Sequence, residues 1–94
     1  MQIKFRTAAS ADMRRVSRET KARWSAAQAR PYAAMLRDEI KSLATFPERF
    51  PQFDPRAGLR RMNCSRHAVF YLVSAEQVEI VRVLHVASDF GRWL

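Results

Sequence analysis

Two apolar runs separated by a handful of residues limit what this chain can become. The first is His67 to Ser74, "HAVFYLVS", and the second is Val78 to Ala87, "VEIVRVLHVA". Both are rich in β-branched and aromatic residues, and both have the length of strands. The "AEQ" between them makes a tight turn, so the two pair as an antiparallel hairpin. Each run is apolar on both faces or nearly so. Such a sheet must be covered by other elements. In 94 residues there is one domain, residues 1–94, to supply that cover.

The first half of the chain provides it. "MQIKFRT" alternates, with Met1, Ile3 and Phe5 on one side and Gln2, Lys4 and Arg6 on the other, which makes a short half-buried strand. "AASADMRRVSRETKARW" is helical. Ser10 reads as its N-cap, and Asp12 in the first turn suits the helix dipole. Ala9, Met13, Val16, Thr20 and Trp24 form a narrow apolar stripe, and Arg14, Arg15, Arg18, Lys21 and Arg23 cover the remainder. "SAAQARP" is a break, because proline suits the first turn of a helix and not its interior. A second helix therefore starts near Pro31, buries Tyr32, Met35, Leu36, Ile40 and Leu43, and ends at Pro47. Two helices with a short joint form a hairpin. After the loop "PERFPQFDPRAG", the segment "LRRMNCSR" supplies another strand. The order is β-α-α-β-β-β. The fold class is α+β, with the helical hairpin packed on a small, mainly antiparallel sheet.

Charge says what such a domain meets. The formal net charge is +8, and most of the excess lies in residues 1–30. A chain this basic meets nucleic acid, a nucleic-acid machine or an acidic protein. The near absence of glycine argues against a phosphate-cradling loop, and no cofactor is expected. Cys64 has no partner for an internal disulfide, and His67 and His85, far apart in sequence, lack metal-ligand spacing, so no metal is expected. Lys4 and Arg6 interrupt the first apolar stretch, so no signal-peptide core is read, and no run approaches a membrane span. The cytoplasm is the expected compartment.

Four stretches resemble the ParE/RelE superfamily of bacterial type II toxins. Ala9-x-x-Asp12-Met13-x-x-Val16 is similar to the family's Ala-x-x-Asp-Leu-x-x-Ile, and Leu43-x-x-Phe46-Pro47 to its Leu-x-x-Phe-Pro. Leu59-Arg60-Arg61 follows a loop containing proline and glycine. The most specific stretch is Val81-Arg82-Val83-Leu84-His85, which resembles the ending Val-Arg-Val-Leu-His-x-x-Arg-Asp-Leu of the ParE branch. Here Ser88 stands where that ending has arginine. The ParE resemblance implies a non-enzymatic inhibitor of DNA gyrase that blocks replication. It also implies a cognate, ParD-like antitoxin with an acidic C-terminal segment, held in a toxin–antitoxin hetero-oligomer, with DNA contact only indirect and no membrane.

The alternative within the superfamily is a RelE-like, ribosome-dependent mRNA endonuclease. Such an enzyme needs an acid and a base beside its phosphate-stabilising cations. Arg61, Arg82 and His85 are the candidates for that chemistry, but arginine is no base near neutral pH. The tail carries Phe90 and Trp93, which have no phenolic proton to give. Tyr71 reads as a core tyrosine with a bonded hydroxyl, and His67 as a surface residue. On a regular strand, Arg82 and His85 point to opposite faces. Arg82, between Ile80 and Leu84, reads either as ion-paired, with Glu39, Asp54 or Asp89, or as facing a partner. The residues expected to contact partners are Arg14 and Arg18 on the first helix, Arg60, Arg61 and Arg66 around the second strand, and Arg82, Arg92 and Trp93. A third reading is a small nucleic-acid-binding module, with the first helix on phosphates and Trp24 or Trp93 stacking bases.

Overall fold

In the computed structural model, residues 1–53 and 58–94 are described. Gln2–Phe5 forms β1, with Ile3 and Phe5 half-buried and Gln2 and Lys4 exposed. The chain leaves the sheet at once. The Arg6 N–H donates to the Ile80 carbonyl at 3.0 Å, and its guanidinium pairs with Glu79. The helix α1 then spans Thr7–Arg23. It starts three residues before Ser10, so Ser10 does not cap it and Asp12 lies beyond the first turn. With β1 ending at Phe5, there is no room for a longer joint. Ala9, Met13, Val16 and Thr20 are buried as the stripe predicts, but Trp24 is 52% exposed.

The helix α2 spans Ala26–Ser42, so the break between helices is shorter than the proline suggests. Ser25 is the N-cap and accepts a hydrogen bond from the Gln28 N–H at 3.1 Å. Ser25-x-x-Gln28 is the spacing of a capping box. Pro31 lies inside the helix and exposed, not at its start. After α2 come a turn and a 3₁₀ turn at Pro47–Arg49.

The strands β2 (Arg60–Cys64), β3 (His67–Val73) and β4 (Gln77–His85) form the meander. Ser65 and Arg66 make the β2–β3 turn and are not strand residues; Ser65 has φ +56°. The helix α3 is a single turn at Phe90–Trp93. The sheet order is β1-β4-β3-β2. β1 runs parallel to β4, and the other pairs are antiparallel. The architecture is the expected α+β one.

The strand β4 is not regular. Phe70 pairs with Arg82 but Tyr71 pairs with Ile80, so Val81 is an extra residue, a β-bulge. It shifts the alternation. Val78, Ile80 and Val83 join α1 and α2 in one core, whereas Val81 and Leu84 join Phe70, Leu59 and Ala68 in the other. The single-face assignments that a regular strand predicts therefore fail across Val81. The second core is completed by Phe53, Leu72, Phe90 and Leu94. Among the described residues, no helix is long and apolar enough to cross a membrane.

Candidate functional site

Asp12 is the best-bonded carboxylate of the sheet edge. β1 stops short of the end of β4, which leaves the Val83 N–H facing outward with no strand to accept it. The Asp12 Oδ2 accepts that N–H at 2.9 Å and the Arg82 Nε at 2.7 Å, while Oδ1 accepts from the second Arg82 nitrogen at 2.8 Å. Arg15 adds an ion pair at 3.0 Å. Asp12 is 1% exposed, so this complement is what allows it to stay buried. The bonds to Asp12 raise the Arg82 guanidinium further above its ordinary value. Arg82 is thus ion-paired, and its carboxylate is Asp12, not Glu39 or Asp89; Asp54 lies outside the described residues. The sequence did carry a signal for this. Asp12 sits on the buried stripe between Ala9, Met13 and Val16.

Across the sheet, Arg61, Phe70 and Arg82 stand in one row. Arg61 donates to the Asn63 side chain at 2.8 Å and stacks on Phe90 at 4.6 Å. Arg82 lies 5.5 Å from the Trp93 ring, and Arg92 5.4 Å from the same ring. Arg60 is committed to the backbone, donating to the carbonyls of Phe50 at 2.6 Å and Glu48 at 3.2 Å. Tyr71 is buried, its hydroxyl donating to the Pro47 carbonyl at 2.7 Å, and burial pushes its pKa up. That is the expected core tyrosine.

His85 does not join Arg61 and Arg82. It pairs with His67 on the helical side of the sheet, their ring centroids 5.5 Å apart. The two histidines that look remote in sequence are direct cross-strand neighbours. His67 is buried rather than on the surface. The Tyr32 hydroxyl lies 2.6 Å from its Nδ1. Burial, with His85, Arg66 and Arg15 adding to it, lowers the His67 imidazole to about 4. His85 is exposed, and its Nδ1 accepts the Ala87 N–H at 3.0 Å. Arg66 packs over both Trp24, at 5.1 Å, and Tyr32, at 4.8 Å. No local pattern links Tyr32 to His67; only the packing of α2 on the sheet does.

Arg14 and Arg18 lie elsewhere again. They border an apolar groove of about 580 Å³ between α1 and α2, floored by Phe5, Met13 and Ile40. Arg37 and Lys41 of α2 face them across it. None of these four cations forms an ion pair among the described residues. Arg14 and Arg18 were expected to contact a partner; Arg37 and Lys41 were not, although they share the same i,i+4 spacing on α2.

A chain of the "Chromosomal ParDE TA system from P. aeruginosa" matches with a TM-score of 0.83 over 92% of this chain and 96% of that one. At 16% identity this shows a shared fold. A family model for the ParE toxin of the type II toxin–antitoxin system, parDE, matches residues 3–90. Toxin ParE1 of Caulobacter vibrioides is 40% identical over 82 residues, covering 86% of this chain and 84% of that protein. Toxin ParE of Escherichia coli is 37% identical over 83 residues, covering 86% and 81%. The chain belongs to the ParE toxins of type II toxin–antitoxin systems. The resemblance carried by the four sequence stretches is borne out as to family and fold.

Proposed function

We propose that this ParE-family toxin acts in the cytoplasm as a non-enzymatic inhibitor of DNA gyrase, and that a cognate antitoxin silences it through an acidic, amphipathic segment. One observation supports the non-enzymatic reading. The three residues that would carry RNA cleavage are divided, with Arg61 and Arg82 on one face of the sheet and His85 on the other. Arg82 is moreover bound to Asp12, and an arginine so engaged is not free to follow a transition-state charge.

The antitoxin is assigned to the α1–α2 groove. A helix with an apolar face would cover Phe5, Met13 and Ile40, and its acidic flanks would meet Arg14, Arg18, Arg37 and Lys41. The exposed tail, with Arg92 and Trp93, is the surface assigned to gyrase.

The test is purified toxin added to gyrase and supercoiled plasmid. Accumulation of gyrase-cleaved DNA is expected, and it should vanish when antitoxin is added first. Undisturbed supercoiling at high toxin excess would sink the gyrase reading. Codon-specific cuts in a ribosome-bound mRNA would replace it with the endonuclease.

A further inference from the structure

At the end of the molecule where α1 finishes and the β2–β3 turn lies, a second pocket of about 430 Å³ opens. Its lining includes Glu19, Arg23, Trp24, Arg66, His67 and His85. The hydrogen-bond network bears on what the two imidazoles present there. The Arg66 backbone N–H donates to the Tyr32 hydroxyl at 3.3 Å, which leaves that hydroxyl's own proton available to His67 Nδ1, 2.6 Å away. With Nδ1 accepting from Tyr32, neutral His67 carries its proton on Nε2. His85 does the same, because the Ala87 N–H occupies its Nδ1. Neither Nε2–H has an acceptor among the described residues, and no polar side-chain atom is buried without a partner. His85 is exposed, and both imidazoles line the pocket. The guanidiniums of Arg23 and Arg66 add positive charge that no carboxylate pairs among the described residues. Beside them the indole of Trp24 is half exposed, with Arg66 stacked on it.

N–H donors and guanidiniums lining one pocket suit a phosphate. An open indole beside them suits a base, since stacking accepts any base and needs it unpaired. Together they favour single-stranded nucleic acid over a phosphopeptide, which has no use for the indole. We propose that this pocket binds single-stranded nucleic acid, one phosphodiester held by Arg66, Arg23 and the Nε2–H groups of His67 and His85, with the adjoining base stacked on Trp24. The inference rests on this pocket alone and holds whether or not gyrase is the target. Among the described lining residues, Glu19 is the one acid. It leans towards Arg15 at 3.7 Å and opposes the ligand's charge.

The experiment uses the whole toxin, free of antitoxin, carrying Trp93→Phe so that fluorescence reports Trp24. Titration with an oligothymidylate should quench this signal to saturation, and the affinity should fall steeply with salt. Trp24→Ala, followed by anisotropy of a labelled oligonucleotide, should weaken binding roughly ten- to a hundredfold. His85→Ala and Arg23→Ala are exposed changes that leave the core alone, and each should weaken binding several-fold. Glu19→Gln should tighten it. Duplex DNA should bind without quenching Trp24. If polyglutamate of equal charge quenches Trp24 as well, or if the three weakening variants bind like the parent, the pocket is not a nucleic-acid site.

Discussion

Asp12 and Arg82 show how a charged residue becomes structural. The carboxylate sits where β4 outruns β1 and takes over the work of a missing strand at Val83. Removing its partner leaves a buried charge. Arg82→Ala is expected to cost roughly 3 kcal/mol in urea unfolding, at the low end for a broken buried pair because Arg15 stays. Replacing Asp12 and Arg82 together with apolar residues should cost clearly less than the two single changes summed. His67 makes a second prediction at this scale. Its folded-state pKa is about 4 against an ordinary 6.5. Above pH 6.5 both folded and unfolded chains hold it neutral. As pH falls through 6.5 towards 4, the unfolded chain takes up a proton that the folded one refuses, so stability drops. Between pH 7 and pH 5 the loss should be about 2 kcal/mol. His67→Gln, which still accepts from Tyr32, should flatten that part of the pH profile of the urea midpoint.

At the scale of elements, α2 carries two opposed local signals. Ser25 closes its first turn with a side-chain bond, and Ser25→Ala should lower stability by about 1 kcal/mol. Pro31 sits on the exposed face within the helix, where it can give no N–H to the Ala27 carbonyl. Pro31→Ala should raise the thermal midpoint, by on the order of 1–3 kcal/mol of added stability. Opposite shifts from two changes away from the core of one helix would show that its start is set at Ser25. The bulge at Val81 acts at the same scale. It lets one strand serve two cores, with Ile80 and Val83 under the helices and Val81 and Leu84 under the tail.

For the whole molecule, the cations divide into those paired within the fold and those left open. The cations of the α1–α2 groove have no partner of their own among the described residues, while Arg82 and Arg60 are spent on the fold. Arg14→Glu with Arg18→Glu should weaken antitoxin binding at least tenfold near physiological salt, chiefly through association, and the deficit should narrow at high salt. The melting temperature should hardly move, because both residues are exposed. Equal affinity in calorimetry would place the antitoxin on another surface.

The sequence by itself determined the element order, the hairpin of apolar strands, the buried stripe of α1 and the family. These are written in local periods of two and near four residues, which the backbone imposes wherever the chain goes. Only the tertiary structure decided what the polar residues do. Asp12 lies 70 residues from Arg82, and Tyr32 lies 35 from His67, and no period connects them. The bulge at Val81 is equally silent, because one extra residue in a long apolar run leaves the hydrophobic pattern readable either way. Burial forces each polar group to find a partner. Which partner it finds depends on how helices and strands meet in space.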